Sequence, residues 1–158
     1  MKKLNFLGIG PKIAVILLPW LGTTIVLSCI HIDFFKFIRH NPQAPHIAGI
    51  VLLIIGLVFY FSTVRMLLKG LKETRLMTTG VYGFCQNPLY ATLILVIIPA
   101  LSLLLNSWLI LTSSVVGYAI FKRFIRQEYA ELEKFFGDDY LKYKDQTPEF
   151  FPFLIKKL

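Results

Sequence analysis

The chain has 158 residues, of which 56% are hydrophobic and only 16% charged, and its mean hydropathy is +0.65. Soluble domains are about 45–50% apolar and about 25% charged, so the composition excludes an ordinary soluble domain and indicates an integral membrane protein. The net charge is +8. Because the basic residues flank apolar runs and do not alternate with aromatic residues, we expect no nucleic-acid partner.

Two long apolar runs occupy the first half of the chain, at residues 13–32 and 47–68. Each has the length of about 20 residues that crosses a bilayer. The first run is long for the apolar part of a signal peptide and lacks a cleavage site of small residues, so we expect an uncleaved span.

Two shorter apolar runs, residues 89–105 and 108–121, lie on either side of Asn106 and Ser107. This spacing predicts a tight helical hairpin. The expected fold is therefore all-α, with about four transmembrane helices and a C-terminal interfacial helix. Residues 1–158 form one membrane domain: residues 1–68 give two N-terminal spans, and residues 69–158 give a loop, the hairpin and a C-terminal segment.

The basic residues indicate the orientation of the four predicted spans. Lys36 and Arg39 fall on one side, and the larger basic set falls on the other. Basic residues collect on the cytoplasmic side, so both termini and residues 69–88 are expected in the cytoplasm, at the inner membrane of a bacterium. The larger set is Lys2, Lys3, Lys12, Arg65, Lys69, Lys72, Arg75, Lys122, Arg123 and Arg126.

Residues 122–136 predict a helix that Gly137 ends. Placed at about 100° per residue, one face of this helix is apolar and includes Ile125 and Leu132. Glu128 falls inside the apolar face. A buried carboxylate costs several kcal/mol unless it is paired, so Glu128 is a functional candidate. The structural alternatives are a salt bridge to a loop cation such as Arg75, or a helix that enters the membrane less deeply.

The loop before the hairpin contains Gly80, Gln86, Asn87 and Pro88. Pro88 suits the first turn of a helix, which places the Gln86 and Asn87 amides at a helix N-terminus, where they could meet an anionic group. The alternative is plain helix capping by Asn87.

Tyr140 and Tyr143 are three residues apart and share a helical face. Aromatic rings attract cations, including a sulfonium, although tyrosines also anchor proteins at the membrane interface. Cys29, Cys85 and the scattered histidines show no metal-binding spacing, and we expect no metal.

Taken together and in this order, these pieces resemble the isoprenylcysteine carboxyl methyltransferase and phospholipid methyltransferase family. The resemblance covers about residues 76–153, half of the chain. It also includes an aromatic tail with prolines at 148 and 152. The other matching residues are Gly80, Tyr82, Gln86, Asn87, Pro88, Tyr90, Glu128, Leu132, Phe136, Gly137, Tyr140 and Tyr143.

The sequence departs from the family pattern at two positions. Gln86 stands where the family usually has arginine, and Tyr129 replaces the second residue of a Glu-Glu pair. Each departure weakens cofactor binding if that residue contacts the cofactor. A non-catalytic relative that serves in interaction or assembly therefore stays open beside an enzyme.

The resemblance implies an all-helical membrane methyltransferase that uses S-adenosylmethionine. Its partners would be membrane lipids and a lipidic or prenyl-like acceptor that carries a carboxylate or an amine. Glu128 is the expected catalytic residue and also a cofactor ligand. The other expected cofactor-binding residues are Gly80, Tyr82, Gln86, Asn87, Pro88, Tyr90, Tyr140 and Tyr143.

A transporter or channel is a more distant alternative. Four short spans with almost no ionisable residues at the middle of the bilayer offer no ion path.

Overall fold

The computed structural model of the protein describes residues 8–39 and 43–150, which form α-helices joined by short loops. These residues contain no strand, and one isolated β-bridge joins Lys36 to Ser107. The predicted all-α class is confirmed for them. The helices are α1 (Gly10–Ile30), α2 (Ile32–Phe35), α3 (Gln43–Glu73), α4 (Val81–Phe84), α5 (Pro88–Thr92), α6 (Ile98–Leu104), α7 (Trp108–Phe136) and α8 (Asp138–Gln146).

Within the described ranges, α1, α3 and α7 are long and apolar enough to cross a membrane. The predicted membrane protein is thus confirmed. The predicted count of four spans is not, because the fourth apolar helix, Pro88–Leu104, is shorter than the about 20 residues of a typical span. At about 1.5 Å per residue, α3 exceeds the about 30 Å hydrocarbon core.

The helix α1 packs antiparallel against α7 through a stripe of small and apolar residues. Thr24 Oγ1 lies 3.3 Å from Ser113 Oγ, and Ser28 Oγ lies 2.6 Å from Ser107 Oγ. Small hydroxyl residues let two helices approach closely and provide hydrogen bonds that lipid cannot. The Thr24–Ser113 and Ser28–Ser107 pairs therefore fix the register of α1 on α7.

The helix α3 packs on the other side of the hairpin, against the arm Pro88–Leu104. Its buried residues include Gly49, Gly56, Thr63 and Gly70, which recur every seven residues and form one narrow stripe. Most of the remaining apolar side chains of α3 face outward, as expected for a lipid-facing helix. The bundle order is α3, the first hairpin arm, α7 and α1.

A π-helical turn, Leu93–Ile97, joins α5 to α6. In this turn the backbone N–H of Ile98 donates to Leu93 O, five residues back. The carbonyl of Ile94 would then need an N–H from Pro99, which has none. The Ser114 hydroxyl of α7 supplies the missing donor at 2.7 Å. The bond also ties the two hairpin arms together.

The predicted hairpin is confirmed, and Asn106 adopts a positive φ of 45° at its tip. The predicted end at Gly137 is also confirmed, since Gly137 has a φ of 55° between α7 and α8. The helix predicted at residues 122–136 is, however, continuous with the last span, because no helix-breaking residue separates them. Lys2, Lys3 and Pro152 lie outside the described residues.

Candidate functional site

Glu128 lies partly buried on α7, where one carboxylate oxygen accepts two hydrogen bonds. The phenol of Tyr90 donates to Oε2 at 3.1 Å, and the backbone N–H of Ile9 donates to the same atom at 3.1 Å. These two donors, and not the predicted alternative Arg75, bind the carboxylate through Oε2. The loop side and the helix side of the predicted site therefore meet directly.

Two further tyrosines lie within electrostatic reach of Glu128. Burial raises the pKa of the Tyr82 phenol, and the neighbouring Glu128 charge raises it further. Burial likewise raises the pKa of Tyr140, with added contributions from Glu128, Glu133 and Glu149. Both phenols therefore stay protonated at any physiological pH. Of the three tyrosines, Tyr90 is the one that hydrogen-bonds Glu128.

Gly80 and Pro88 shape the backbone that carries these tyrosines. Gly80 has a φ of 60°, a conformation that favours glycine. Pro88 opens α5, where its missing N–H leaves no hydrogen bond unmade. Gly80 thus precedes the short helix that carries Tyr82, and Pro88 begins the helix that carries Tyr90.

The side-chain amides of Gln86 and Asn87 bind the chain itself. Gln86 Nε2 donates to the carbonyl oxygens of Lys144 at 3.1 Å and Thr147 at 2.6 Å. Asn87 Nδ2 donates to Tyr129 Oη at 2.6 Å and to the carbonyl of Glu149 at 2.8 Å. Each amide group has only two hydrogens, so both donors are fully used.

Asn87 occupies the N-cap position of α5, but its side chain makes no capping hydrogen bond. The plain capping alternative is therefore wrong. Contact of either amide with a cofactor carboxylate stays a prediction. It requires Gln86 to exchange a bond to Lys144 or Thr147, or Asn87 to exchange a bond to Tyr129 or Glu149.

A carboxylate that the sequence reasoning missed lies beside this pair. Glu149 Oε2 is 2.5 Å from the Lys122 ammonium, and Glu149 Oε1 accepts from Tyr129 Oη at 3.3 Å. The following residue, Phe150, is buried with its ring centroid 4.6 Å from that of Phe121. These contacts hold residues 147–150 against α7. Glu149 follows a helix in an aperiodic segment, so no sequence pattern singled it out.

Tyr143 is buried and supports the loop. Its hydroxyl donates to the carbonyl of Tyr82 at 2.7 Å, and burial raises the pKa of its phenol. In this arrangement the hydroxyl is a structural donor. Only the aromatic ring of Tyr143 could then contact adenine or a sulfonium, and that contact stays a prediction.

A separate cavity of about 550 Å³ lies between the loop after α3 and the outer face of α8. Tyr143 is the one predicted site residue on its wall, and the lining includes neither Asn87, Tyr90 nor Glu128. The lining residues are Thr74, Arg75, Leu76, Thr78, Phe136, Asp139, Lys142, Tyr143, Gln146 and Thr147.

Cys85 lies in the same loop and is 3% exposed. Burial raises the pKa of its thiol to about 11. Because the thiolate is the reactive form, we expect native protein carrying Cys29→Ser to resist a water-soluble maleimide at pH 7.5 and to react faster as the pH rises. Mass spectrometry should show complete labelling only in denaturing detergent. Fast, complete labelling of the native protein at pH 7.5 contradicts this prediction.

Residues 8–39 and 43–150 contain no cluster of three or more His, Cys, Asp or Glu side chains that could hold a metal ion. The expected absence of a metal stays a prediction.

The fold and the site together define a polytopic membrane protein with a tyrosine-rich carboxylate site at one end of its helices. The model of the isoprenylcysteine carboxyl methyltransferase (ICMT) family matches residues 46–134, more than half of the chain. The chain belongs to this family of membrane methyltransferases, as its sequence pattern predicted. No curated protein and no solved structure matches the chain.

Proposed function

We propose that the protein is an S-adenosylmethionine-dependent methyltransferase that acts at the cytoplasmic face of the membrane on a lipidic or prenyl-like acceptor. The hydrogen bond between Glu128 and Tyr90 carries the proposal. It joins two family segments that lie 38 residues apart in sequence. Family membership supports the reaction class.

The polar atoms at this site fit S-adenosylmethionine. Tyr140 is 1% exposed, and its hydroxyl and Gln86 Oε1 are buried atoms without a hydrogen-bond partner in the described residues. Buried polar atoms are rarely left unpaired, so a polar ligand is a natural partner. Glu128 Oε1 also has no donor within the described ranges. These acceptors suit the amino group and ribose hydroxyls of the cofactor.

When bound, S-adenosylmethionine supplies a methyl group on a sulfonium. The chain contributes position and environment, since in-line methyl displacement requires little acid–base help. Glu128 Oε1 would hold a donor group, while the rings of Tyr82, Tyr90 and Tyr140 provide faces that favour a cation. Glu128 is also the candidate to accept a proton from an acceptor that must lose one.

The position of the site along the bundle supports the cytoplasmic face. The site lies where α1 begins and α3 ends, and the C-terminal half of α7 passes the same level. Basic residues are concentrated in these stretches, and such residues favour the cytoplasm. A polar cofactor can reach this end from water, and a lipidic acceptor can reach it from the bilayer. The residues are Lys12, Arg65, Lys69, Lys72, Lys122, Arg123 and Arg126.

Isothermal titration of the detergent-purified protein with S-adenosylhomocysteine tests the proposal. We expect saturable binding, and Tyr90→Phe should weaken the affinity about tenfold because Glu128 loses one of its two donors. Tyr60→Phe, on the lipid-facing helix α3, should bind like the wild type. Absence of wild-type binding up to millimolar concentrations contradicts the proposal.

The second candidate is a non-catalytic member of the family. One observation favours it. The side-chain amides of Gln86 and Asn87 donate both of their hydrogens to carbonyl and hydroxyl oxygens of the chain itself. A folded wild-type protein that fails to bind S-adenosylhomocysteine would establish this candidate.

A further inference from the structure

The amino-terminal end of α1 reaches the Glu128 carboxylate. Ile9 is 2% exposed, belongs to the hydrophobic core, and donates its backbone N–H to Glu128 Oε2. The contact joins residues 119 positions apart in sequence. Residues 8–12 lie outside the segment that the family model matches, residues 46–134.

Gly8 leaves the space that this contact requires. Its φ is 48°, a conformation that residues with a Cβ rarely adopt. A Cβ at this position would lie 2.6 Å from Glu128 Oε2 and 3.0 Å from Glu128 Cδ. Any larger residue must therefore push the carboxylate or the backbone away.

The neighbouring contacts hold residues 8–12 in place. Lys12 donates from Nζ to Gln127 Oε1, and its ammonium lies 5.7 Å from the centre of the Phe124 ring. Farther along α1, the Thr24–Ser113 and Ser28–Ser107 pairs fix the helix against α7. The position of the Ile9 N–H is thus set by the whole α1–α7 interface.

The two donors to Glu128 bind the same carboxylate oxygen, Oε2. Tyr90 Oη and Ile9 N approach Oε2 from different elements, which restricts rotation of the carboxylate. The other oxygen, Oε1, has no donor among the described residues. Glu128 is therefore held through one oxygen and can present the other to a ligand.

We propose that residues 8–12 are part of the binding site, as a positioning segment that fixes Glu128 through the Ile9 N–H and requires glycine at position 8. The inference rests on the proposed function, because it takes Oε1 of Glu128 as a cofactor contact. It adds to the proposed site a segment that precedes residues 46–134, which the family model matches.

Gly8→Ala tests the positioning role, with Gly22→Ala, outside residues 8–12, as the matched control. An added Cβ at position 22 meets nothing within 4 Å. We expect Gly8→Ala to weaken S-adenosylhomocysteine binding at least tenfold, and Gly22→Ala to stay within twofold of the wild type. Equal affinity of Gly8→Ala and the wild type overturns the proposal.

Glu128→Asp separates positioning from general stability. The shorter side chain withdraws the carboxylate from position 8, so an added methyl at Gly8 should cost little further affinity in the Glu128→Asp background. A purely structural effect of Gly8→Ala would be the same in both backgrounds. Full additivity of the two changes overturns the proposal.

Hydrogen exchange at the Ile9 amide tests the contact without any ligand. The Ile9 N–H has no partner inside α1, so its protection depends on Glu128. We expect exchange at least tenfold faster in Glu128→Ala than in the wild type, and an unchanged rate overturns the proposal. If the wild type fails to bind S-adenosylhomocysteine, the proposed function falls, and the exchange rates alone decide whether Ile9 holds Glu128.

Discussion

Glu128→Ala is expected to reduce the affinity for S-adenosylhomocysteine at least a hundredfold, the largest effect of any single substitution in the site. The change removes the acceptor for both Tyr90 and Ile9 and the open oxygen proposed to contact the ligand. A hydrogen bond to a charged group contributes about 1.5–3 kcal/mol, so the loss of a single charged contact already approaches this factor. Isothermal titration measures it.

Glu133→Ala is the matched control, because this carboxylate lies exposed on the polar face of the same helix. Its affinity should remain within twofold of the wild type. Thermal unfolding should show that Glu128→Ala remains folded. Wild-type affinity in Glu128→Ala would make this carboxylate a structural residue and would remove the central contact of the proposed site.

Gly49→Ala is expected to destabilise the protein by about 1–3 kcal/mol, the range typical of an overpacked interface. A Cβ at this position would lie 2.8 Å from the backbone nitrogen of Leu104 and 3.0 Å from the carbonyl oxygen of Ala100. Both are backbone atoms of α6, so no side chain can simply rotate away. The two helices must instead move apart.

Gly22→Ala is the control for this prediction, because α1 leaves open space around that position. Alanine is favoured over glycine inside a helix by about 0.5–1 kcal/mol, so this variant should be as stable as the wild type or more stable. Thermal unfolding in one detergent compares the two. Equal midpoints for Gly49→Ala and the wild type contradict the close packing of α3 on α6.

Much of the fold follows from local features of the sequence. The apolar runs give the long helices, and Asn106 and Gly137 mark a turn and a helix end because each adopts a positive φ. The order of the helices could not be read in the same way. Hydropathy shows which segments enter the membrane but not which helix faces meet. The packing of α1 on α7 depends on hydroxyl pairs such as Thr24–Ser113.

The candidate site was predictable where a residue breaks a local pattern. Glu128 stood out as a carboxylate on an apolar helix face, and the structure gives it two donors. Gly8 breaks no local pattern, because its role depends on a contact with Glu128 across the fold. Lys122 and Glu149 pair only after the chain turns back, so neither periodicity nor spacing could reveal them.

The two departures from the family pattern have different surroundings. Gln86 binds carbonyl oxygens of the C-terminal segment, whereas Tyr129 contacts Asn87 and the Glu149 carboxylate. The tyrosine phenol thus connects Asn87 to a carboxylate from another segment. Because this bond also holds residues 147–150 in place, the departure at Tyr129 has a structural explanation within the chain.

We expect the ligand to bind where Glu128 meets the segment from Tyr82 to Tyr90. A structure determined with S-adenosylhomocysteine shows whether it does. We expect ligand density in contact with Glu128 Oε1 and the Tyr140 hydroxyl. Density confined to the cavity between Arg75 and Lys142, or a saturated protein whose Glu128 contacts only Tyr90 and Ile9, would contradict a binding site at Glu128.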